Sequence, residues 1–216
     1  ALALHAPVSE EGPSGIPEVI AGRLACSQCA REYAVSDGVP RLATVDRLPA
    51  APVTRQTASS FGFLWTASDG DGDDEWESGR YHFVKLSETL GLPQPDGLIL
   101  DAGCGEGIDV VYHGQRGAEV VGVELSDGGC ATTFRRTARL PTAHVAQADL
   151  RRLPFADETF RLVYSYGVLH HVADPKAAIR EIARVTQAGG RVAVYLYEDF
   201  SERAMGWRVL LRVVNQ

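Results

Sequence analysis

The stretch LILDAGCGEG, residues 98–107, carries the clearest fold signal in the sequence. An apolar run ends at Asp101, and glycines follow at positions 103, 105 and 107. A strand that ends in a glycine-rich turn and opens into a helix places its ligand at the carboxyl edge of a sheet. Glycine lets the backbone come close to that ligand. The stretch therefore predicts the first strand and the ligand loop of an α/β domain.

Strand patterns recur after this stretch, with helical patterns between them. The predicted strands are LILDA (98–102), EVVGVEL (119–125), AHVAQAD (143–149), RLVYSYG (161–167) and RVAVYLY (191–197). The clearest helix begins with Asp174 as N-cap and Pro175 as its first residue, and we expect Gly189 and Gly190 to end it. The alternation indicates an α/β fold, a doubly wound, Rossmann-like, mostly parallel sheet with helices on both faces. We expect a small β-rich appendage on its N-terminal side.

The bulk composition restricts the partners. The 216 residues carry a net charge of −7, but the acidic run 69–77 contributes six carboxylates, so the rest of the chain is close to neutral. No basic stripe is present, and we therefore expect no nucleic-acid partner. No apolar run reaches membrane-spanning length, and the four cysteines do not form the pattern of a disulfide framework. We expect no membrane partner and a cytoplasmic location, while the oligomeric state stays open.

Charge around the glycine loop argues against a dinucleotide. The dinucleotide fingerprint G-x-G-x-x-G requires glycine at position 108, where this chain has Ile108. Asp101 and Glu106 flank the loop, and both would repel a pyrophosphate, which needs the positive end of a helix without a nearby anion. These carboxylates suit a ligand that carries positive charge, such as an amino-acid ammonium or a sulfonium.

Further carboxylates follow the next two strands. Glu124 lies near the end of the second strand, about 20 residues after the first loop glycine, where a carboxylate binds ribose hydroxyls. Asp149 and Leu150 follow the third strand, where a carboxylate can accept from an adenine amine and an apolar neighbour can cover the ring. NAD and S-adenosylmethionine both contain such a ribose, so Glu124 does not distinguish them.

Five segments of the chain together resemble one protein family. They are ILDAGCGEG (99–107), VVGVELS (120–126), ADLRRLPFADETF (148–160), YSYGVLHHVADP (164–175) and EIARVTQAGGRVAVYLY (181–197). In order and spacing they resemble the successive motifs of class I S-adenosylmethionine-dependent methyltransferases of the type 11 kind. The resemblance covers roughly residues 96–197. The chain departs from the family at Arg161, where Asp is frequent, and in having only 19 residues after the last predicted strand, where two further strands are usual.

The resemblance implies a cofactor and the residues that bind it. The cofactor is S-adenosyl-L-methionine, with S-adenosyl-L-homocysteine as product. The implied cofactor-binding residues are Asp101, Gly103, Cys104, Gly105, Glu124, Leu125, Asp149, Leu150 and Ser165. The loop residues would face the methionine part, Cys104 through its backbone, and Ser165 would offer backbone contacts near the same end. Glu124 would bind the ribose, and Asp149 with Leu150 the adenine.

Catalysis of methyl transfer needs alignment of the nucleophile with the methyl group, and a base where the acceptor must lose a proton. His171 follows the fourth strand at the pocket mouth and is the candidate general base, since an unperturbed histidine titrates in a useful range. Tyr166 is the candidate for positioning the acceptor, and His170 and Tyr164 are further candidates.

The resemblance leaves several functions open. We expect methyl transfer to a small-molecule acceptor. The alternatives are a zinc-ribbon RNA base methyltransferase, which the acidic charge disfavours, and a cofactor-binding but inactive partner or regulatory subunit. A nicotinamide oxidoreductase is a fourth reading, disfavoured by Ile108 and the loop carboxylates.

The N-terminal half carries two features outside these motifs. Cys26 and Cys29 form a C-x-x-C pair that resembles half of a small zinc ribbon. A structural zinc needs four ligands, so zinc would require ligands upstream of Ala1, and we expect no metal site within the chain. In related methyltransferases, N-terminal helices cap the cofactor, which implies that aromatic residues here wall the substrate pocket. These are Phe61, Phe63, Trp65 and Tyr81.

The expected organisation follows from these features. Residues 1–50 form a zinc-ribbon-like remnant and residues 51–97 a helical cap and linker. Residues 98–197 form the S-adenosylmethionine-binding core, and residues 198–216 a truncated helical extension. Because the chain begins at Ala1 rather than Met, we also expect residues upstream of it.

Overall fold

The computed structural model describes residues 2–12, 15, 17–27, 29–43, 52–67, 82–91 and 96–196. The predicted extension at 198–216, the acidic run at 69–77 and Tyr81 lie outside the described residues.

The N-terminal residues form an antiparallel sheet of their own. Its strands are β1 (Leu2–Glu11), β2 (Pro17–Cys26), β3 (Glu32–Ser36) and β4 (Val39–Pro40), in the order β1-β2-β3-β4. The expected β-rich appendage is therefore confirmed.

The core is a five-stranded sheet with helices on both faces. The helices are α1 (Pro52–Ala67), α2 (His82–Leu90), α3 (Ile108–Gly114), α4 (Asp127–Thr137) and α5 (Pro175–Val185). The strands are β5 (Ile99–Ala102), β6 (Val120–Glu124), β7 (Ala143–Gln147), β8 (Phe160–Tyr166) and β9 (Thr186–Tyr195). Their order is β7-β6-β5-β8-β9, and every pairing is parallel. The strand order reverses between β5 and β8, and such a switch point is where open α/β sheets bind ligands.

Alternation along the buried strands builds a core on each face of the sheet. In β5, Ile99 packs into one apolar cluster with Phe83 of α2 and Val110 of α3. The next residue, Leu100, packs into the other cluster with Ile182 of α5. Successive strand residues point to opposite faces, so the nearly all-apolar strands confirm the doubly wound fold. None of the described helices is long and apolar enough to span a lipid bilayer.

Helix α5 begins as predicted but ends early. The Asp174 side chain accepts from the N–H of Ala177 at 3.0 Å, and Pro175 opens the helix. The expected end at Gly189 and Gly190 is wrong, because the helix ends at Val185 and β9 begins at the next residue. The chain before β8 explains this end: the N–H groups of residues 158 and 159 donate to the carbonyls of residues 184 and 185, at 2.9 and 2.8 Å. These last helical carbonyls are thereby satisfied without a glycine cap.

The appendage docks on the edge of the core sheet. The N–H groups of Leu42 and Ala43 donate to the carbonyl of Gln147 in β7, at 2.9 and 3.0 Å. The Arg41 guanidinium, 11% exposed, contacts Asp127 of α4 at 3.2 Å and the Gln147 side-chain oxygen at 3.4 Å. The appendage thus covers the carboxyl end of the edge strand β7 at Gln147.

Helix α1 packs closely on α4 through two glycines. Gly62 lies against the start of α4, where a Cβ built on it would find its nearest neighbour, the Ser126 Cβ, at 3.3 Å. A Cβ on Gly128 would collide with the carbonyl oxygen of Gly62 and lie 2.6 Å from the Thr66 hydroxyl. The missing side chain at Gly128 therefore sets how near α1 lies to α4.

Replacing Gly128 with alanine should destabilise the protein, because the new methyl group has no room beside the backbone of α1. We expect a loss of about 1–3 kcal/mol in the free energy of unfolding, measured by urea titration. Gly62→Ala is the matched control and should stay within about 1 kcal/mol of wild type, since its Cβ meets less crowding and alanine favours helix. Equal effects from the two substitutions would contradict this packing.

Candidate functional site

A cavity of about 390 Å³ opens at the carboxyl edge of the sheet, near the switch point. The ends of β5 and β6, the segment after β7, the segment after β8 and one face of α1 all contribute to its lining. The volume lies at the lower end of the range for small-ligand sites, roughly 300–1,000 Å³. The fold therefore places a pocket of small-ligand size where the glycine loop was expected to bind.

The glycine loop adopts a conformation that requires glycine. Gly103 has a φ of +94° and Gly107 a φ of +81°, in the left-handed region. A Cβ on Gly103 would also lie 2.5 Å from the Val168 side chain, and both residues line the cavity. The loop is thus held against the segment that follows β8.

The amide groups of this loop are already used inside the protein. Gly103 and Cys104 both donate to the carbonyl of Val123, at 2.8 and 3.0 Å. Gly105 donates to Oε2 of Glu124 at 3.2 Å. A pyrophosphate-binding loop points such N–H groups at the phosphate oxygens. The loop is therefore built for a ligand other than a pyrophosphate.

Glu124 is fixed at the end of β6 by bonds to both of its oxygens. Oε1 accepts from the backbone N–H of Ser126 at 2.8 Å and from its hydroxyl at 2.7 Å, while Oε2 accepts from Gly105. Ser126 is also the N-cap of α4 and accepts from the N–H of Gly129 at 3.2 Å. The carboxylate thus joins the glycine loop to the start of α4, and it lines the cavity beside Leu125.

The two carboxylates predicted to give the loop its negative charge, Glu106 and Asp101, differ in their surroundings: one is paired with an arginine and the other is buried. Glu106 pairs with Arg136 of α4 at 2.8 Å, with side chains 14% and 16% exposed, so the expectation that its charge would repel phosphate is wrong. The pairing partner lies 30 residues away and has no sequence signal. Asp101 is buried, and burial followed by the charge of Asp109 raises the pKa of its carboxyl well above the usual range. A cation bound nearby would favour the charged form of Asp101.

Asp149 and Leu150 follow β7 and both line the cavity. The Asp149 carboxylate forms an ion pair with Arg151, which also lines the cavity, at 2.7 Å. Leu150 is buried and belongs to the same apolar cluster as Val123. The segment after β7 thus presents a carboxylate, a guanidinium and an apolar side chain to the same pocket.

The residues predicted from β8 separate into two groups. Tyr166 lines the cavity and stacks on Tyr195 with ring centroids 4.2 Å apart. Ser165 is fully buried and does not line the cavity, and its hydroxyl donates to the carbonyl of Ala102 at 2.8 Å. Tyr164 is also fully buried, against Phe83, so our expectation that it would position an acceptor is wrong. Tyr164 lies on the same face of β8 as Tyr166 but two residues earlier, inside the apolar cluster and not at the carboxyl end of the strand.

Aromatic side chains of α1 and of the segment after β8 are in contact at the cavity wall. Phe61 and Trp65 of α1 lie with ring centroids 5.9 Å apart, and Phe61 lies 5.0 Å from the ring of His171. Burial lowers the pKa of His171, which follows β8 in a short 3-10 helix at residues 169–171. The expectation that Phe63 lines the pocket is wrong, since its side chain is 74% exposed on the opposite face of α1.

Two ionisable residues of the lining, Asp109 and Arg151, were not predicted from the sequence. Asp109, in the first turn of α3, is buried, and its carboxylate accepts from the N–H of Phe83 in α2 at 3.2 Å. Arg151 stands two residues after Asp149. Asp109 directly follows the glycine loop, and Arg151 lies beside Asp149, so these positions were the available signals. Neither residue belongs to a motif that assigns it a role.

The cysteine pair lies in the appendage, away from this cavity. Cys26 ends β2, and Cys29 stands in the turn that follows. Among the described residues, no group of three or more metal-ligating side chains is arranged to hold a metal ion. Zinc binding by this pair therefore stays a prediction, which requires further ligands upstream of Ala1.

Comparison with known proteins relates the core to methyltransferases. Residues 100–194 match the family model described as methyltransferase domain. A demethylmenaquinone methyltransferase of Mycolicibacterium paratuberculosis is 40% identical over 116 residues, 53% of this chain and 47% of that protein. A malonyl-[acyl-carrier protein] O-methyltransferase of Pseudescherichia vulneris is 31% identical over 141 residues, 64% of this chain and 52% of that protein. The chain thus spans about half the length of these curated relatives.

A solved structure shares the fold. The geranyl diphosphate C-methyltransferase of Streptomyces coelicolor A3(2), solved with Mg²⁺, geranyl diphosphate and S-adenosyl-L-homocysteine, superposes with a TM-score of 0.51. The two chains are 23% identical, and the match covers 68% of this chain and 65% of the other.

Substituting glutamine for Glu124 should loosen the glycine loop. Both carboxylate oxygens accept from N–H or O–H groups, and an amide NH₂ would face one of these donors. We expect the free energy of unfolding to fall by about 1–3 kcal/mol in urea titration. Glu119→Gln, at a side chain 59% exposed, is the matched control and should change it by less than about 0.5 kcal/mol. If Glu124→Gln were as mild as this control, the carboxylate would not be holding the loop.

Proposed function

Because residues 100–194 form a domain of the class I S-adenosylmethionine-dependent methyltransferase family, we propose that this protein transfers the methyl group of S-adenosyl-L-methionine to a small-molecule acceptor. The observation that carries the proposal is the Gly105 N–H donating to Glu124. This hydrogen bond uses a loop N–H that a pyrophosphate would need, and it places the Glu124 carboxylate where it can accept from ribose hydroxyls. That arrangement favours a sulfonium nucleoside over a dinucleotide.

The residues around the cavity fit each part of this cofactor. Asp101, with Gly103, Cys104 and Gly105, would bind the methionine part, whose ammonium suits a buried carboxylate. Glu124 with Leu125 would bind the ribose, and Asp149 with Leu150 the adenine. Ser165 would contribute only through its backbone, since its hydroxyl is bonded to Ala102. When bound, the cofactor supplies a methyl group on a positively charged sulfur, which is already activated for displacement.

The protein's part in the reaction is alignment and proton removal. Burial lowers the pKa of His171, which favours the neutral imidazole, so the ring can take a proton from an acceptor hydroxyl or amine. The Phe61 ring, 5.0 Å from the His171 ring, would keep water away from this part of the cavity. Tyr166, fixed by its stacking on Tyr195, would position the acceptor.

A small acceptor is supported by the cavity and by the relatives. The aromatic side chains of Phe61, Trp65 and Tyr166 give the lining a flat apolar wall. The named relatives act on demethylmenaquinone and on a malonyl group, which are small acceptors or small groups. The sequence carries no basic stripe that would bind RNA, and we propose a cytoplasmic enzyme without a nucleic-acid partner.

Transfer of a radiolabelled methyl group tests the proposal. The protein would be incubated with methyl-labelled S-adenosylmethionine and either a panel of phenols, quinols, amines and carboxylic acids or bulk RNA. We expect label in at least one small-molecule acceptor and none in RNA. Label in RNA alone would favour the base methyltransferase, and cofactor binding without transfer to any acceptor would favour an inactive partner subunit.

His171→Gln should lower kcat/KM by about 100-fold or more if the acceptor must lose a proton, which is the usual scale for a general base. In wild type the acid limb of the pH profile should lie below pH 6.5, because the neutral base is present above its lowered pKa and is lost as pH falls through it. The variant should lack this limb.

His170→Gln is the control for this measurement. His170 is the adjacent histidine, with ring centroids 4.0 Å apart, but it does not line the cavity. It should keep the wild-type pH profile. An acid limb that persists unchanged in His171→Gln would contradict the assignment of the base.

A further inference from the structure

The ion pair between Asp149 and Arg151 is arranged in detail. Oδ1 of Asp149 accepts from the backbone N–H of Arg151 at 2.9 Å and from its Nε at 3.0 Å. Oδ2 accepts from Nη2 at 2.7 Å and shares the Nε hydrogen at 3.0 Å. The side chains are 14% and 19% exposed. A two-point guanidinium contact together with a backbone bond leaves the carboxylate little freedom to rotate.

The same pair keeps hydrogen-bonding capacity for a ligand. A guanidinium carries five N–H donors in a rigid fork. Asp149 takes the Nε hydrogen and one Nη2 hydrogen, so the geometry of the pair leaves the Nη1 hydrogens for another acceptor. Because Oδ2 shares the Nε hydrogen, it can still accept from a further donor. Both residues line the cavity, so an acceptor and a donor stand side by side at its wall.

Adenine presents the complementary pattern. Its exocyclic amine is a donor, and the neighbouring ring nitrogen is an acceptor. In a 6-oxopurine the amine is replaced by a carbonyl oxygen, and the adjacent ring nitrogen carries a hydrogen. Opposite a fixed carboxylate and guanidinium, the carbonyl oxygen of the 6-oxopurine would face a carboxylate oxygen. Its ring N–H would face the guanidinium N–H groups, so neither hydrogen bond could form.

We propose that Arg151, through its ion pair with Asp149, is a specificity-determining residue that makes the site select adenine over a 6-oxopurine. The inference rests on the proposed function, since it takes the base of the cofactor to lie at Asp149. Arg151 holds the carboxylate so that it cannot rotate away from a carbonyl oxygen, and its free N–H groups are available to a ring nitrogen. Lysine cannot replace it, because an ammonium lacks the planar fork.

Binding of two thioethers that differ only in the base tests this. Isothermal titration would compare S-adenosyl-L-homocysteine with S-inosyl-L-homocysteine, in which the amine is a carbonyl. We expect wild type to bind the adenosyl compound on the order of 10- to 100-fold more tightly, the range for a well-placed bidentate pair. Arg151→Ala should reduce that ratio by about tenfold, mainly by weakening the adenosyl compound, and Arg151→Lys should fall between the two.

Arg152→Ala is the matched control, since Arg152 is the exposed neighbour and does not line the cavity. It should keep the wild-type ratio, and thermal unfolding would verify that each variant is folded. If Arg151→Ala were unfolded, the ratio of the two affinities in Arg151→Lys would serve as the test in its place. A wild-type ratio in the folded Arg151 variant would overturn this inference alone, whereas wild-type protein that binds neither compound would overturn the proposed function.

Discussion

The bond from the Gly105 N–H to the Glu124 carboxylate is the interaction on which the rest of the site depends. It joins the loop after β5 to the end of β6, and through Ser126 it reaches the first turn of α4. The same carboxylate takes an amide that a phosphate-binding loop would leave open. One side chain therefore shapes the pocket and narrows the chemistry of its ligand.

The electrostatics of the pocket follow from which carboxylates are paired. Glu106 is compensated by Arg136 and Asp149 by Arg151, so neither presents an isolated charge. The buried Asp101 is the carboxyl whose pKa is raised, and it gains most from a ligand that brings positive charge. Under the proposed function, the pocket would select for positive charge at one end and for the pattern of donors and acceptors on a base at the other.

Much of the fold could be predicted from sequence, because buried parallel strands and the glycine loop have strong local patterns. Those strands and the N-cap at Asp174 were confirmed by the structure. The early end of α5 was missed because its last carbonyls are satisfied by a distant segment. The Glu106 pairing was missed for the same reason, and so was the burial of Tyr164, because Phe83, which packs on it, belongs to α2. Contacts between residues far apart in sequence leave no periodic signal.

The most direct test of the central claim is the choice between two ligands by wild-type protein. Titration calorimetry with S-adenosyl-L-homocysteine and with NADH would be run side by side at the same protein concentration. The proposed function predicts saturable binding of the first with one site per chain and none of the second. Binding of NADH without binding of S-adenosyl-L-homocysteine would contradict it.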